Sequence, residues 1–325
     1  MLQISAADVD GALDFRDLVE TLREAFRAGA VQPPRHHHTI EKPDGAATTL
    51  LLMPAWTDFT AAGTSQGGFI GVKIVSVTPD NNAAGLPAVM GVYLLMDGRS
   101  SEPLALIDGQ RLTLWRTACA SALASTYLSR EDSRELTLIG AGALAPFLAR
   151  AHAAVRPIER IRIWNRTRAN AERVAHELRA AGLATEVADD LDEAVAAADI
   201  VSAATISTVP LVRGDHLSPG THVDLVGAFS PVMRESDQRA IMRASVYVDT
   251  RAGATREAGD IVQAIAEGSL KTEDIRADLF DLARGAAPGR ASAQEITLFK
   301  SVGAAIEDLA TAVAVYGRVS GSRHR

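Results

Sequence analysis

Short apolar runs alternate with segments of helical periodicity through the middle of the chain, from about residue 136 to 250. Runs of this length are typical of strands that are buried on both faces of a sheet. Helical spacing of apolar residues is clearest at 169–181 and 191–198. The alternation predicts an α/β fold with a doubly wound parallel Rossmann sheet, covered by helices on both faces. The predicted strands are 136–139, 161–164, 184–187, 200–204, 222–226 and 246–249.

The N-terminal part of the chain has a different pattern. A helical segment at 15–28 is followed by strand-like pieces that Gly, Pro, Asn and Asp separate, at 48–53, 69–77, 89–96 and 103–107. This pattern predicts a mainly antiparallel sheet, and therefore a separate α+β domain. A C-terminal segment at 304–316 is apolar at helical spacing, and we expect it to return to this domain. The predicted domains are 1–112 plus 304–325, and a Rossmann domain at 113–303.

A glycine-rich loop follows the first strand of the predicted Rossmann domain. The sequence from Gly140 through Gly142 to Ala145 has the form G-x-G-x-x-A, and a helix-like run and a second strand come after it. Gly140 allows the tight turn, Gly142 lets the backbone approach a pyrophosphate, and Ala145 lets the helix lie close to the sheet. The pyrophosphate binds the amides at the helix N-terminus. This context predicts a dinucleotide site.

The residues after the second strand indicate which dinucleotide binds. An NAD site places Asp or Glu there, to accept hydrogen bonds from the ribose hydroxyls. Here the strand is followed by Asn165, Arg166, Thr167 and Arg168, with no carboxylate. An arginine pairs well with a 2′-phosphate, whereas a carboxylate repels it. We therefore expect NADPH to be preferred and NADH to be a weaker cofactor. The alternative is that the two arginines are solvated surface charges.

Composition limits the remaining possibilities. The chain has 325 residues, which is long enough for two domains with their own cores. The formal net charge of −7 argues against a nucleic-acid-binding surface. Cys119 is the only cysteine, so no disulfide framework is expected. With no signal segment or membrane-spanning run recognised, we predict a cytoplasmic protein without membrane or nucleic-acid partners.

Three consecutive histidines, His36, His37 and His38, suggest a metal site at first sight. In a strand-like stretch, however, neighbouring side chains point to opposite faces. No cysteine or carboxylate stands nearby at zinc spacing. We therefore predict no metal.

Basic residues occur in apolar surroundings in or near the first domain. Lys73 lies in an otherwise apolar strand, and Arg116 opens a run of small residues that pack closely as a helix. Arg35 and Arg111 are further candidates. A lysine in a buried strand is costly to desolvate unless an anion pairs with it. The residues alone leave two readings open, an anion-binding site or a lysine at a strand edge with arginines in structural ion pairs.

Several ordered motifs together resemble the ornithine cyclodeaminase/mu-crystallin family, and the resemblance covers essentially the whole chain. The matching segments are 31–35, 52–55, 71–73, 107–109, 116–118, 121–122, the loop at 140, 257–260 and 296–303. The family implies a Rossmann domain and an N-terminal domain that binds substrate and forms a homodimer. It also implies that Arg35, Lys73 and Arg116 converge on the carboxylate of an amino or imino acid, so that the substrate anion balances these buried cations.

The resemblance also assigns residue roles. Lys73 and Arg116 are the expected catalytic residues, and Arg35, Met53 and Phe229 are expected to contact substrate. The cofactor-binding residues that it implies are Gly140, Gly142, Ala143, Asn165, Arg166, Thr167, Thr205, Val226 and Ser301.

One departure from the family bears on the reaction. The cyclodeaminases carry an Asp in a Gly-(Gly/Ala)-Asp pattern after the fifth strand, whereas this chain has Gly227, Ala228 and then Phe229. A phenyl ring cannot accept a proton. The Ala-Phe-Ser-Pro form resembles bacterial reductases of the cyclic imino acids Δ1-pyrroline-2-carboxylate and Δ1-piperideine-2-carboxylate, which implies NAD(P)H-dependent reduction of cyclic ketimines. The alternatives are ornithine cyclodeamination with another acid, an alanine-type amino acid dehydrogenase, and a non-catalytic NADPH-binding protein.

Overall fold

The computed structural model describes residues 1–60 and 67–323, which form two compact units. The first unit contains Met1–Arg116 and Ala305–Arg325, and the second contains Thr117–Ala304. Helix α3 spans Gly109–Leu128, so the boundary between the units falls inside it. The chain therefore has the α/β character that its sequence predicts, with a second α+β part.

The first unit is built on a six-stranded sheet. Its strands are β1 (Leu2–Ile4), β2 (His36–Ile40), β3 (Thr48–Trp56), β4 (Phe69–Val77), β5 (Val89–Asp97) and β6 (Pro103–Asp108). The order is β1-β6-β5-β4-β3-β2, and every pair is antiparallel except β1 with β6. The helices of this unit, besides the start of α3, are α1 (Ala6–Ala12), α2 (Phe15–Ala28) and α11 (Ala305–Arg323).

One face of this sheet forms the core of the first unit. Along the strands every second side chain is buried, as at Met53, Val75 and Leu95. Helix α2 starts at its cap Asp14, whose carboxylate accepts two backbone N–H groups, and it buries an apolar stripe that includes Leu22. Helix α11 packs on α2, β3 and β4. The predicted C-terminal helix is therefore part of this unit, and it extends to Arg323 rather than ending at 316.

The opposite face of the same sheet is apolar, and several of its side chains are exposed. Ile74 pairs with Leu52 on one side and with Val92 on the other, so these three side chains form a row across β3, β4 and β5. Ile74, Met90 and Val92 are 38%, 45% and 37% exposed. Large apolar side chains that are exposed side by side on a sheet indicate a surface for association.

The second unit contains an eight-stranded sheet in which every neighbouring pair is parallel. Its strands are β7 (Glu135–Ile139), β8 (Arg160–Trp164), β9 (Thr185–Val187), β10 (Ile200–Ala203), β11 (His222–Leu225), β12 (Ser245–Val248), β13 (Ala277–Asp278) and β14 (Thr297–Lys300). The order is β13-β12-β14-β11-β10-β7-β8-β9. Because β8 and β10 lie on opposite sides of β7, the strand order reverses there, which is where a doubly wound sheet opens a ligand crevice.

The helices of this unit connect consecutive strands, as in a Rossmann fold. They are α4 (Ala145–Val155), α5 (Arg168–Ala180), α6 (Leu191–Ala196), α7 (Gln238–Arg243), α8 (Arg251–Glu257), α9 (Gly259–Ala266) and α10 (Leu279–Ala283). The amphipathic segment predicted at 233–243 is helical only in α7, because Ser236 instead forms a β-bridge with Val212. Strand β14 was not predicted as a strand, although it lies between β11 and β12.

Candidate active site

The glycine loop after β7 has the geometry that dinucleotide binding requires. Gly140 has a φ of 104°, and a Cβ at this position would lie 2.7 Å from the carbonyl oxygen of Ala204, so only glycine fits. None of the described residues lies within 4 Å of the corresponding point at Gly142, which leaves space for a bound group. Ala143 is in the turn that leads into α4, and α4 has Pro146 in its first turn and no side-chain cap. Its first backbone amides can therefore bind a pyrophosphate.

The turn after β8 is connected to this loop by side-chain hydrogen bonds. The backbone N–H of Ala141 donates to Oδ1 of Asn165 at 3.1 Å, and Nδ2 of Asn165 donates to the carbonyl of Thr167 at 2.9 Å. Arg168 pairs with Asp189 and Glu172, hydrogen bonds that raise the pKa of its guanidinium. Arg168 is therefore occupied by carboxylates.

Two other arginines stand beside the loop and the turn. Arg166 is exposed and has no hydrogen-bond or ion-pair partner in the described ranges. Arg173, on α5, donates from Nη2 to the carbonyl of Ala141 in the glycine loop at 3.2 Å. Sequence reasoning missed Arg173, because nothing in its helical position shows that α5 turns this side chain toward the loop.

The remaining candidate cofactor residues lie at the carboxyl ends of neighbouring strands. Thr205 follows β10, Val226 follows β11, and Ser301 follows β14. The N–H of Val226 donates to Ala203 at 2.8 Å, and the N–H of Ser301 donates to Leu225 at 3.1 Å. Because parallel strands end at one edge of their sheet, these residues share that edge with Gly140. The glycine loop and these strand ends therefore form the part of the second unit that fits a nicotinamide dinucleotide.

Phe229 lies at the same edge, two residues after Gly227. It follows Ala228, which has an unusual positive φ of 39°, and the phenyl side chain is 38% exposed. A left-handed conformation at a residue other than glycine is uncommon and is often found at functional sites.

A cluster of buried ions surrounds Lys73 in the first unit. Nζ of Lys73 lies 3.0 Å from Oδ1 and 2.8 Å from Oδ2 of Asp308 in α11. Arg116 donates from Nε to Asp308 at 3.0 Å and from Nη1 to Glu307 at 2.8 Å. The four side chains are buried, with Lys73 only 3% and Asp308 0% exposed. The expectation that a substrate anion balances these cations must therefore be corrected, because two carboxylates of the chain already pair with them.

The charges in direct contact balance within this cluster. Lys73 and Arg116 contribute two cations and Glu307 and Asp308 two anions, so the sum is 2 − 2 = 0, and Arg35 acts on Lys73 by charge repulsion. Burial lowers the pKa of Lys73 to about 8, and repulsion by Arg116 and Arg35 adds to this, whereas Asp308 acts in the opposite direction. Lys73 is thus mostly protonated at neutral pH and can lose its proton readily.

Met53 and Tyr93 flank Lys73 in the sheet. Met53 is the neighbour of Lys73 on β3, and Tyr93 is its neighbour on β5. The Tyr93 hydroxyl is buried and has no hydrogen-bond partner among the described residues, and its ring covers the position of Gly71, where a Cβ would collide with it. Burial, together with the charge of Asp308, raises the pKa of Tyr93.

Sequence reasoning missed Tyr93, Glu307 and Asp308. Two adjacent acids in the first turn of a C-terminal helix are ordinary near a helix N-terminus, so they gave no signal of a role. A buried tyrosine in a strand is equally ordinary.

The histidine run lies on β2, and all three side chains are exposed. In the described ranges, no three His, Cys, Asp or Glu side chains come together as a metal site would require. None of the described helices combines the length and apolar character needed to cross a membrane.

The family model for the ornithine cyclodeaminase/mu-crystallin family matches residues 2–323. The chain belongs to this family. Among curated relatives, the Δ1-pyrroline-2-carboxylate reductase of Paracoccus denitrificans is 36% identical over 94% of this chain and 93% of its own length. The protein SAR DEFICIENT 4 of Arabidopsis thaliana is 42% identical over 91% of this chain and 92% of its own.

Solved structures of the same fold agree with this membership. The Δ1-pyrroline-2-carboxylate reductase of Thermococcus litoralis, solved with NADH and L-proline, has a TM-score of 0.92 and 33% identity, covering 99% of this chain and 98% of its own. An archaeal alanine dehydrogenase, a dimer with bound NAD, has a TM-score of 0.90 and 28% identity, covering 99% of this chain and 97% of its own.

Proposed function

We propose that this protein is a reductase of cyclic ketimines that uses a nicotinamide cofactor. Its substrates would be Δ1-pyrroline-2-carboxylate, reduced to L-proline, and Δ1-piperideine-2-carboxylate, reduced to L-pipecolate. The observation that carries the proposal is the buried cluster in which Glu307 and Asp308 hold Lys73 and Arg116 in fixed positions. The relatives from Paracoccus denitrificans and Thermococcus litoralis, with their names and ligands, support the same reaction.

The cations of this cluster would bind the carboxylate of the substrate. Arg35 acts on Lys73 by charge repulsion, and Arg116 is oriented by its bonds to Glu307 and Asp308. A carboxylate held in this way fixes the position of the adjacent imine carbon, and such orientation accounts for much of catalysis in two-substrate reactions.

Lys73 is our proposed proton donor. Reduction of the imine requires one proton at nitrogen and one hydride at C2, and the bound reduced nicotinamide supplies the hydride. With a pKa of about 8, Lys73 carries a proton at neutral pH and can transfer it to the imine nitrogen. Asp308 holds Nζ in place and accepts hydrogen bonds from it before the transfer. Phe229 offers an apolar surface to the ring methylenes in place of a carboxylate.

We further propose that NADPH is preferred over NADH. Asn165 replaces the acid that would repel a 2′-phosphate, and Arg166 and Arg173 supply two guanidinium groups near the turn and the loop. The Thermococcus litoralis reductase was solved with NADH. Measuring kcat/KM of this protein with NADPH and with NADH therefore tests whether its preference for NADPH exists.

A homodimer is our third proposal. The row of Leu52, Ile74 and Val92, together with Met90, gives the first unit an exposed apolar face. We propose that a second copy of the chain packs against this face, since an exposed apolar sheet face favours association. The archaeal alanine dehydrogenase of similar fold is itself a dimer.

The reaction is tested with a panel of substrates under one set of conditions. Oxidation of NADPH and NADH is followed with both cyclic imino acids and with pyruvate plus ammonia, and ammonia release is followed with L-ornithine. We expect turnover of the cyclic imines to exceed the others by at least about a hundredfold in kcat/KM, about 2.7 kcal/mol. Faster turnover of pyruvate would make the protein an alanine-type dehydrogenase, and ammonia release from ornithine would make it a cyclodeaminase.

A further inference from the structure

A second buried ion cluster lies in the Rossmann unit. Lys300 is the last residue of β14, in the middle of the parallel sheet, and it is fully buried. Its Nζ donates to the carbonyl of Gly227 at 2.6 Å and lies 3.4 Å from Asp260 and 3.7 Å from Glu235. A lysine in this position is costly, and a buried ion pair seldom adds more stability than apolar residues of the same size.

The two carboxylates of this cluster accept hydrogen bonds from backbone N–H groups as well as from side chains. Oε1 of Glu235 accepts the N–H of Thr205 at 2.7 Å and its hydroxyl at 2.9 Å. Oδ1 of Asp260 accepts the N–H groups of Glu235 and Ser236 at 2.9 and 2.8 Å, and the Ser236 hydroxyl at 2.8 Å. Asp260 therefore fixes Glu235, and Glu235 fixes Thr205.

The Thr205 and Gly227–Ala228 segments are closely packed against each other and against Glu235. A Cβ at Gly227 would collide with the carbonyl of Thr205 and with the Glu235 carboxylate. The N–H of Ala228 donates to the same Thr205 carbonyl at 3.2 Å, and the carbonyl of Ala228 accepts from Gly259 at 3.1 Å. The cluster thus packs against Thr205, Gly227 and Ala228, and Ala228 is the residue with the positive φ.

These segments are at the carboxyl ends of β10 and β11. In a doubly wound sheet the two halves of a dinucleotide lie on opposite sides of the switch point. The turn at Asn165, after β8, is on the adenosine side, so Thr205 and Gly227 are on the nicotinamide side.

We propose that Lys300, Glu235 and Asp260 are positioning residues that hold the Thr205 and Gly227–Ala228 segments in the shape that binds the nicotinamide half of the cofactor. This inference takes from the proposed function only that the cofactor is a nicotinamide dinucleotide. It does not depend on which imine is reduced.

The protonation of Glu235 links this cluster to pH. Burial raises the pKa of Glu235 to about 8, and repulsion by Asp260 adds to this, while Lys300 opposes it. Lys300 and Asp260 are the charged groups that face Glu235 in the described part of the chain. With all three ionised the balance is 1 − 2 = −1, whereas a protonated Glu235 makes it zero. Raising the pH through about 8 therefore places an uncompensated charge under the Thr205 segment.

The test measures binding of the cofactor in the absence of substrate. Titrations of the full chain with NADPH, followed by nucleotide fluorescence, are compared with titrations of 2′-phospho-ADP-ribose, which lacks the nicotinamide. We expect Lys300→Met to raise the Kd for NADPH by about tenfold or more, the scale of a lost hydrogen bond to a charged group. The Kd for 2′-phospho-ADP-ribose should change by less than about twofold.

Glu235→Gln and Glu235→Ala separate the hydrogen bonds from the charge. Glutamine keeps an oxygen for Thr205 and resembles the protonated acid, so Glu235→Gln should bind NADPH within about twofold of the unchanged protein at neutral pH. We expect the unchanged protein to bind NADPH more weakly above about pH 8, and Glu235→Gln should abolish this change. Glu235→Ala should weaken NADPH binding as Lys300→Met does.

Asp199→Asn is the matched control for a loss of stability. Asp199 is also partly buried and accepts the N–H groups of Arg134 and Glu135, but it stands at the amino end of β10. We expect it to lower the Tm without changing either Kd.

The inference is overturned if Lys300→Met binds NADPH like the unchanged protein, or if both ligands lose affinity equally. It is also overturned if the unchanged protein binds no dinucleotide. Should Lys300→Met fail to fold, the pH dependence of Glu235→Gln decides the matter, because equal alkaline weakening in both proteins contradicts the proposal. A protein that passes these binding tests and reduces no cyclic imine leaves this inference intact and refutes the proposed function alone.

Discussion

Replacing Asp308 by asparagine isolates the electrostatic effect of one carboxylate on Lys73. The two oxygens of Asp308 lie 3.0 and 2.8 Å from Nζ, and both groups are almost completely buried. Asp308 raises the pKa of Lys73 by its charge and by its hydrogen bond, against the effects of burial and of Arg116. Asp308→Asn removes the charge and keeps nearly the same volume, so it should lower the pKa of Lys73.

The size of this shift follows from the strength of the interaction. A hydrogen bond to a charged group contributes about 1.5–3 kcal/mol, which is about 1–2 pKa units. The pKa of Lys73, about 8 in the unchanged protein, should therefore fall to about 6–7 in the variant. If Lys73 donates the proton, activity is lost as the pH rises through this pKa. The alkaline limb of the pH profile should thus move down by about 1–2 units.

The assay is kcat/KM for imine reduction as a function of pH, corrected for the ionisation of the free imino acid. Glu307→Gln is the control, because Glu307 pairs with Arg116, whereas the pKa of Lys73 is set by burial, Arg116, Asp308 and Arg35. It should reduce the rate without moving the alkaline limb. An alkaline limb that stays in place in Asp308→Asn, or one that moves equally in Glu307→Gln, would refute the role given to Lys73.

Three further predictions concern the cofactor, the substrate and the oligomer. The double change Arg166→Ala with Arg173→Ala should narrow the preference for NADPH over NADH by about 1–3 kcal/mol in kcat/KM, and equal use of both cofactors by the unchanged protein would contradict the preference. Phe229→Asp should damage imine reduction by placing an unpaired carboxylate beside the ring, without producing cyclodeamination; a KM for imine that stays the same would contradict this. Ile74→Glu should yield a monomer by light scattering at micromolar concentration, since it buries a charge in the proposed interface, and the exposed Met242→Glu in the second unit should not.

The Rossmann unit could be predicted largely because its signals are local. Gly140 stands between an apolar strand and an apolar helix, and the structure confirms strand, turn and helix in that order. Strand β14 escaped prediction because it ends in Lys300, a residue that gives no sign of burial from sequence alone. The position of β14 between β11 and β12 depends on the strand order, which the pattern of apolar residues along the chain does not reveal.

The ion cluster at Lys73 illustrates the opposite case. The sequence shows that a lysine in an apolar strand needs an anion, and the structure confirms that Lys73 is buried. The anion itself, Asp308, is 235 residues away along the chain. No periodicity connects two such positions, so the residues alone could not distinguish a substrate carboxylate from a protein carboxylate. The roles assigned to Arg35, Lys73 and Arg116 in substrate binding remain predictions.

The transfer of a deuteride to the imine carbon tests directly whether this protein reduces cyclic ketimines with a nicotinamide cofactor. The unchanged protein is incubated with Δ1-pyrroline-2-carboxylate and NADPH that carries deuterium at the transferable C4 position, and the product is analysed by mass spectrometry and NMR. We expect L-proline with one deuterium at the α-carbon, formed as the cofactor is oxidised. Oxidation of the cofactor without labelled proline would contradict this proposal. So would an imine that stays unreduced while the protein converts L-ornithine, or aminates pyruvate with oxidation of the cofactor.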